Sequence, residues 1–396
     1  MRILVSNDGF GDGGGVQSYL DAVVPGLSGR GHAVALLRRD GHQTGQVGAG
    51  GWPMFTAAGD HHLSVVRGWA PDVCFSHNIT DLATDRALAD IAPVVKFMHG
   101  YFGTCISGQK RFGWPIARPC SRRFSAACLA LYAPRHCGQL HPMTLLRSYR
   151  HAVTQQALFD GYSAIVVASA HMKSEYAANG VDEARVHVNA LFAPEGPHAP
   201  DDLDPAAPLS IAFFGRMTTL KGGDLLVRAV ARASEQIGSA IRLVMVGDGP
   251  QRQRWQHLAE RLQVASTFVP WQRGDARWPW LRGVHLLAVP STWPEPFGLV
   301  GLEAGCLGVP AVAFDVGGIR EWLHHGVNGY LVPGDPPRAS ALADAITHAC
   351  RHPEDLAVLR AGAMRVAREM TLVQHLDRLD RLLADTVAAH AHTAGR

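Results

Sequence analysis

The 396-residue chain lacks several features that would place it in a special class. No apolar run approaches the ~18 residues that a membrane-spanning helix needs. Lys and Arg number 37 and Asp and Glu 34, so the formal net charge of +3 is too small to indicate a nucleic-acid partner. The seven cysteines are an odd number, and the N-terminus lacks the apolar stretch of a signal peptide. We therefore expect a cytoplasmic protein without a disulfide framework.

Apolar runs and helical patterns alternate along both halves of the chain. In the first half, short apolar runs predict strands at 2–6, 34–37, 71–75, 94–98 and 164–168. In the second half they predict strands at 209–214, 241–246, 267–269, 285–289 and 311–314. Because helical patterns separate these strands, the alternation favours the α/β class, with parallel sheets that carry helices on both faces.

A Pro- and Asp-rich stretch at 193–208 is typical of an interdomain linker. It predicts a doubly wound, Rossmann-like domain over 1–192, with an insertion at about 100–150, and a second such domain over 209–370. A helical segment follows over 371–396. Two sheets of this kind leave a cleft between their carboxyl ends, which is where open α/β folds bind ligands.

The segment 291–305, STWPEPFGLVGLEAG, carries two carboxylates eight residues apart. Glu295 lies in a Pro-flanked loop, and Glu303 lies inside a predicted helix that starts between Pro296 and Gly298. Backbone N–H groups at a helix start suit a phosphate or a sugar hydroxyl, and flanking carboxylates suit the hydroxyls of a sugar and a ribose. Two solvated glutamates near a helix start are the plainer interpretation of the same residues.

Further motifs lie in order along the chain. The second half contains FGRMTTLKG at 214–222, VGDGP at 246–250, GVPAV at 308–312, GGIRE at 317–321 and NGYLV at 328–332. The first half contains GGGV at 13–16, GH at 31–32 and MHG at 98–100. Together with EPFG at 295–298 and EA at 303–304, these motifs resemble the retaining glycosyltransferases of family four. The resemblance covers nearly the whole chain, and its second half is the more specific.

The resemblance implies the GT-B fold, in which two Rossmann-like domains face each other across a cleft. It implies a retaining, hexosyltransferase-type enzyme that moves a sugar from a UDP or GDP donor to a glycan, glycolipid or other cell-envelope acceptor, as in polysaccharide biosynthesis. It also implies attack on the face that the leaving group occupies, with the leaving phosphate taking the acceptor proton. The C-terminal helix is expected to pack back on the first domain.

The resemblance also suggests roles for individual residues. His99 and Glu295 are the expected catalytic residues, with Glu295 positioning the transferred sugar and acting electrostatically rather than as a nucleophile. The expected donor-binding residues are Gly14, Gly15, Arg216, Lys221, Phe297, Gly298, Leu299, Val300 and Glu303. The nucleotide base is expected near Val269 and Trp271.

Two of these assignments depend on charge. Arg216 and Lys221 would neutralise the leaving diphosphate, so neither a metal nor another cofactor is expected. Ordinary surface charge is the alternative for both residues, and a satisfied structural histidine is the alternative for His99. Ser169 and His171 follow a predicted strand and are weaker candidates for the same cleft.

Two other function classes fit parts of the sequence. One is a different nucleotide-sugar enzyme with the same fold, such as an epimerase. The other is a non-catalytic protein that only binds a nucleotide sugar. The glycines at 9–15 do not give a clean G-x-G-x-x-G, which argues against a dehydrogenase.

Residues 91–159 contain no Asp or Glu and carry nine Lys or Arg residues, interleaved with aromatic side chains. A basic and aromatic segment on the acceptor side predicts an anionic or lipid-linked glycan acceptor. It also predicts peripheral contact of residues 96–150 with the cytoplasmic face of the inner membrane. No RNA-binding motif is present, so we expect no nucleic-acid partner. A solvated basic face is the plainer interpretation.

Four cysteines fall in the same segment: Cys105, Cys120, Cys128 and Cys137. Four thiols are enough for a structural zinc, but the paired spacing of a zinc knuckle is absent. Buried free thiols or a disulfide are the alternatives. The Gly- and Pro-rich run at 103–119 needs some cross-link to be ordered.

Overall fold

A computed structural model describes residues 1–10, 14–39, 50–57, 61–197, 207–351 and 353–394 of the chain. Its first parallel sheet is formed by β1 (Arg2–Ser6), β2 (Ala33–Arg39), β3 (Met54–Ala57), β4 (Val73–Ser76), β5 (Val94–Met98), β8 (Ala164–Val167) and β9 (Val186–Val188). These strands lie in the order β3-β2-β1-β4-β5-β8-β9. Between β5 and β8, the strands β6 (Arg111–Phe112) and β7 (Arg118–Pro119) form a separate antiparallel pair.

The second parallel sheet repeats this arrangement. Its strands are β10 (Ser210–Phe214), β11 (Arg242–Val246), β12 (Ser266–Val269), β13 (Leu286–Val289), β14 (Ala311–Asp315) and β15 (Gly329–Pro333). They lie in the order β12-β11-β10-β13-β14-β15. The strand order reverses beside β1 in the first sheet and beside β10 in the second. Each reversal opens a crevice at the carboxyl ends of the strands.

Helices connect the strands. In the first half they are α1 (Gly15–Gly29), α2 (His61–Trp69), α3 (Leu82–Ala89), α4 (Ala127–Tyr132), α5 (Pro142–Ala157) and α6 (Ala170–Ala178). In the second half they are α7 (Gly223–Ile237), α8 (Arg252–Arg261), α9 (Trp278–Leu281), α10 (Val300–Cys306), α11 (Ala339–Arg351), α12 (Pro353–Glu369) and α13 (Leu372–Ala394). No helix in the described ranges is both long and apolar enough to cross a membrane.

Burial explains which strands could be predicted. Every residue of β5 and β8 is buried, and a strand covered on both faces has a continuous apolar run. The predicted strands in both halves are confirmed within one or two residues. In the two parallel sheets, the strands β3, β9 and β15 had no prediction. All three lie at a sheet edge, and β3 and β9 are also only partly buried.

Helix α13 returns to the first half of the chain and packs against α1. The Arg30 guanidinium pairs with Asp380 at 2.8 Å and with Asp377 at 2.7 Å. The buried His375 Nε2 lies 2.9 Å from the Tyr19 hydroxyl. Most of the predicted linker at 193–208 lies outside the described residues, so the domain boundaries stay predictions.

A buried ion pair holds the Gly- and Pro-rich segment in place. The Lys110 ammonium lies 2.6 Å from the Glu175 carboxylate on α6 and donates to the Arg122 carbonyl at 2.6 Å. The Lys110 side chain is only 1% exposed. The expected cross-link is therefore electrostatic, and it joins the segment to the first sheet through α6.

The four cysteines of that segment do not form the zinc site that their number allowed. All four are free thiols, and among the described residues no set of three or more His, Cys, Asp or Glu side chains is arranged to hold a metal ion. The Cys105 sulfur lies 3.5 Å from Ser107 Oγ, and the Cys137 sulfur lies 3.9 Å from the Leu131 carbonyl. Burial and the neighbouring thiols raise the pKa of Cys137 to about 12.

Candidate active site

Glu295 lies at the carboxyl edge of the second sheet, in the loop after β13, and is 4% exposed. Its Oε1 atom accepts hydrogen bonds from Lys221 Nζ at 2.7 Å and from Trp293 Nε1 at 2.8 Å. The Ser291 hydroxyl donates to the same atom. Three donors converging on one oxygen hold the carboxylate in a single orientation.

Close backbone packing brings Lys221 and Glu295 together. A Cβ at Gly222 would lie 2.0 Å from the Pro290 carbonyl oxygen, and a Cβ at Gly317 would lie 2.3 Å from the Glu295 carbonyl oxygen. Both glycines have a φ of 61°, a conformation that glycine adopts without strain. The loops carrying Lys221 and Gly317 therefore rest directly on the loop that carries Glu295.

Arg216 follows β10 and is exposed. Within the described part of the chain, its guanidinium has no hydrogen-bond or ion-pair partner. Lys221, by contrast, is already paired with Glu295. The two predicted phosphate-binding cations thus differ: Arg216 is exposed and has no partner among the described residues, whereas Lys221 is paired with Glu295.

The helix after Glu295 begins later than predicted. Gly298 has a φ of 89°, which is not helical, and α10 begins at Val300. The predicted start between Pro296 and Gly298 is therefore too early. Leu299 and Val300 are partly buried at the first turn, whereas the Phe297 side chain is buried in the core and its carbonyl accepts from Trp322 Nε1 at 2.8 Å.

Glu303 is paired with an arginine that the sequence analysis did not identify. Arg277 Nη1 lies 2.6 Å from Glu303 Oε1, and the Arg277 guanidinium lies 4.7 Å from the centre of the Trp278 ring. Burial raises the pKa of the Glu303 carboxyl, and the Arg277 charge opposes that rise. No sequence motif marks Arg277, because it lies in a short 3-10 turn before α9.

The two residues predicted near the base differ in exposure. Val269 ends β12 and belongs to a small core cluster with Val244 and Val246. Trp271 is 44% exposed, and its backbone N–H donates to Asp248 at 2.8 Å. Of these two residues, Trp271 therefore has the exposed side chain.

On the first sheet, His99 follows β5 and pairs with His77, which follows β4. His77 Nδ1 lies 2.9 Å from His99 Nε2, and the His99 ring stacks on Phe97 with centroids 4.4 Å apart. Burial, together with the nearby Lys96 charge, lowers the pKa of His99 to about 3. His99 is therefore a neutral imidazole at ordinary pH. Gly14 and Gly15 lie exposed at the start of α1.

Contacts across the cleft join the two sheets. The Tyr101 ring, two residues after His99, packs edge-on against Trp293 with centroids 6.4 Å apart. The Ala170 N–H, at the start of α6, donates to Glu321 Oε1 at 2.6 Å. The buried Tyr101 hydroxyl and His171 Nε2 have no hydrogen-bond partner among the described residues. Because Trp293 also contacts Glu295, the loop carrying His99 is linked to the Glu295 site through Tyr101.

Comparison with known proteins finds similarity in the part of the chain that holds this site. Residues 203–365 match the family described as "Glycosyl transferases group 1". The matched residues contain Arg216, Lys221, Glu295 and Glu303, so both the Lys221–Glu295 and the Arg277–Glu303 ion pairs lie within the match.

Curated relatives match a similar part of the chain. The D-inositol 3-phosphate glycosyltransferase of Stackebrandtia nassauensis is 36% identical over 204 residues, covering 48% of this chain and 44% of that protein. The enzyme of the same name from Rhodococcus erythropolis is 31% identical over 234 residues, covering 55% of this chain and 52% of that protein. The matched part of the chain thus spans about half the length of these relatives.

The whole chain resembles solved structures. The Anabaena protein Alr3699/HepE, solved in complex with UDP-glucose, superposes with a TM-score of 0.70 at 20% identity, covering 97% of this chain and all of that one. At this identity the likeness shows the fold. The chain has the GT-B fold, and the expected pair of Rossmann-like sheets is confirmed.

Proposed function

We propose that this chain is a retaining, hexosyltransferase-type glycosyltransferase that uses a UDP or GDP sugar as its donor. The observation that carries the proposal is the buried Glu295 carboxylate held by Lys221 at the carboxyl edge of the second sheet. A cation and a carboxylate at one point suit a donor whose leaving group is anionic and whose sugar is rich in hydroxyls. The complex of the Anabaena protein with UDP-glucose supports the choice of donor class.

In this proposal the two cations act on the leaving group. As the bond between the sugar and the diphosphate breaks, negative charge grows on the phosphate oxygen. Arg216 and Lys221 stabilise that charge, which makes a metal unnecessary. The leaving phosphate takes the proton of the attacking acceptor hydroxyl on the same face, so the anomeric configuration is retained.

The carboxylates and His99 position the donor. Glu295 orients hydroxyls of the transferred sugar and stabilises positive charge on its ring, and Glu303 accepts from the ribose. His99, neutral at ordinary pH, serves as a hydrogen-bond partner for the sugar rather than as a proton donor. Gly14 and Gly15 leave the start of α1 open to the phosphates, and Trp271 stacks on the base.

The acceptor is proposed to be an anionic or lipid-linked molecule of the cell envelope. The curated relatives are named for an inositol phosphate acceptor, which is anionic. Arg147 and Arg150 share the outer face of α5 with the exposed side chains of Met143, Leu146 and Val153. A face that combines cations with exposed apolar side chains suits the surface of an anionic membrane, so we place the protein at the cytoplasmic membrane face.

A transfer assay tests the proposal directly. The protein is incubated with UDP-glucose or GDP-mannose and a lipid extract as acceptor, and the product is analysed by NMR for its anomeric configuration. An α-linked product from an α-linked donor supports retention, and an inverted product contradicts it. A product formed without acceptor indicates an epimerase, and nucleotide binding with no turnover indicates a binding protein.

Membrane contact has its own test. Sedimentation with phosphatidylglycerol vesicles, compared with phosphatidylcholine vesicles, should recover the protein only with the anionic lipid. The variant Arg147→Ser plus Arg150→Ser should lose most of that binding, whereas Arg254→Ser plus Arg261→Ser on α8 should not. Equal binding of both variants would remove the α5 face from the proposal.

A further inference from the structure

A cavity of about 170 Å³ lies beneath α5, at the carboxyl ends of β4 and β5. Its lining includes His77, Ile79, Met98, His99, Phe102 and His151. Phe102 is 41% exposed, so the cavity reaches the surface beside α5. Its size is close to that of a ~150 Å³ apolar cavity that binds benzene.

The charges around this cavity exclude an ionic occupant. Apart from histidines, Lys96 is the one basic residue among the described lining residues, and its ammonium lies 2.5 Å from Asp85 Oδ2, 3.0 Å from Ser76 Oγ and 2.5 Å from the His77 carbonyl. Burial lowers the pKa of His77, His99 and His151, so these imidazoles are neutral at ordinary pH. No uncompensated cation among the described lining residues is left to bind a phosphate or carboxylate.

One polar atom of the lining is left without a partner. His77 is fully buried, and its Nε2 atom has no hydrogen-bond partner among the described residues. Its Nδ1 atom is already engaged with His99. If His77 donates from Nδ1, Nε2 is an acceptor, and if His77 accepts there, Nε2 carries the hydrogen. In either tautomer one buried polar atom of a lining residue has an unmet hydrogen bond.

We propose that this cavity is an acceptor subsite for a hydroxylated hydrocarbon, with the chain or ring against Ile79, Met98 and Phe102 and the hydroxyl at His77. This inference rests on the proposed function, because the cavity shares His99 with the candidate active site. It adds one property of the acceptor to that function: the hydroxyl that attacks the sugar is attached to a hydrocarbon chain or ring.

The outer face of α5 favours a lipid alcohol over an aromatic one. His151 on α5 lines the cavity, while Met143, Leu146 and Val153 on the same helix are 64%, 41% and 42% exposed. Apolar side chains therefore lie both on the exposed side of α5 and in the wall of the cavity beneath it. Arg147 and Arg150 stand on that outer face, where a lipid phosphate outside the cavity would meet them.

The test measures binding and needs no transfer activity. Hexan-1-ol, benzyl alcohol and glycerol are titrated into the full chain by saturation-transfer NMR. We expect saturable binding of hexan-1-ol, weaker binding of benzyl alcohol and none of glycerol. Tighter binding of benzyl alcohol assigns an aromatic acceptor instead. Glycerol binding as tight as that of hexan-1-ol, or no saturable binding of either hydrocarbon alcohol, overturns the proposal.

Two variants locate the binding. Ile79→Trp fills the cavity and should weaken hexan-1-ol binding at least tenfold, whereas Val65→Trp on α2 should leave it unchanged. Phe102→Ala removes an exposed wall and should weaken it several-fold, with Leu129→Ala as its control. Unchanged affinity in both cavity variants contradicts the assignment.

The thermal shift produced by UDP reports whether each variant is folded, since the residues proposed to bind UDP belong mainly to the second sheet. If UDP fails to bind the wild type while hexan-1-ol binds, the proposed function fails and the hydrocarbon site stands. If UDP binds and hexan-1-ol does not, only the subsite is lost.

Discussion

The Lys221 ammonium lies 2.7 Å from the Glu295 carboxylate, although 74 positions separate the two residues in the chain. Gly222 packs against the Pro290 carbonyl, and Gly317 packs against the Glu295 carbonyl. The loops that carry these two glycines therefore touch the Glu295 loop at backbone level. A bound diphosphate would share Lys221 with Glu295, and a sugar beside the diphosphate would then contact the carboxylate. The ion pair thus joins the leaving-group end of the proposed site to its sugar end.

Replacing Glu295 by glutamine should separate binding from chemistry. Glu295→Gln keeps the size and the accepting oxygen but removes the negative charge. We expect the donor Kd to change less than about threefold and kcat to fall roughly 10²–10³-fold, the cost of removing one electrostatic group from a transition state. Steady-state kinetics of sugar transfer measure both. Glu183→Gln, at an exposed position, is the matched control, and an unchanged kcat in Glu295→Gln would remove Glu295 from the chemistry.

Arg277→Met should destabilise the second domain, because it leaves the largely buried Glu303 carboxylate without its cation. Removing one partner of a buried pair costs about 3–5 kcal/mol, which thermal or urea unfolding detects easily. The exposed Arg273→Met is the control, with little expected change. We also expect the loss of stability relative to the wild type to shrink as pH falls, because protonation then neutralises Glu303 in the variant. A variant as stable as the wild type at pH 7 would contradict the importance of this pair.

Much of this arrangement could be predicted from sequence, and the exceptions share a physical cause. Buried strands such as β5 have continuous apolar runs, and the Glu295 and Glu303 motif stands out by its spacing. Arg277, the partner of Glu303, has no such signal in the sequence, because it lies 26 residues away in a turn without a motif. Lys110 and His77 were likewise missed, because what makes them notable is burial against Glu175 or His99, and burial follows from tertiary packing.

The stability of the protein should fall as pH drops from 6.5 to 4, in part through His375. Burial lowers the pKa of His375 to about 4, while its Nδ1 faces the Ala190 carbonyl at 2.8 Å. The unfolded chain binds this proton near pH 6.5 and the folded one does not, so the stabilisation present above 6.5 is lost below it. His375 alone accounts for about 3 kcal/mol over this range.

Urea unfolding at pH 7, 6 and 5 measures that dependence, and His375→Gln isolates the contribution of one residue. In the variant, the slope of the unfolding free energy against pH should decrease by the amount that corresponds to about one bound proton. His77 and His99 act in the same direction and stay in both proteins. The same slope in variant and wild type would show that His375 does not titrate as described.

Lys110→Met should loosen the basic segment without unfolding the sheets. Glu175 would keep a largely buried charge with no cation, and residues 103–123 would lose their ion pair with α6 while keeping the hydrogen bond from Arg123 to the Ala178 carbonyl. Hydrogen exchange should accelerate at least tenfold in this segment and stay unchanged in β1. Arg118→Met, whose exposed pair with Asp335 spans 3.7 Å, is the control. Faster exchange on adding EDTA, rather than in the variant, would point back to a metal at the cysteines.

The most direct test of the central claim is the thermal stabilisation of the full chain by UDP, GDP and ADP, with and without EDTA. A ligand at 100 times its Kd stabilises the folded state by about 2.7 kcal/mol, which raises Tm visibly. We predict a selective rise with UDP or GDP that EDTA leaves unchanged and that disappears in Arg216→Ala plus Lys221→Ala. No rise with any nucleotide, or a full rise in the double variant, would contradict a nucleotide-diphosphate site at Lys221 and Glu295.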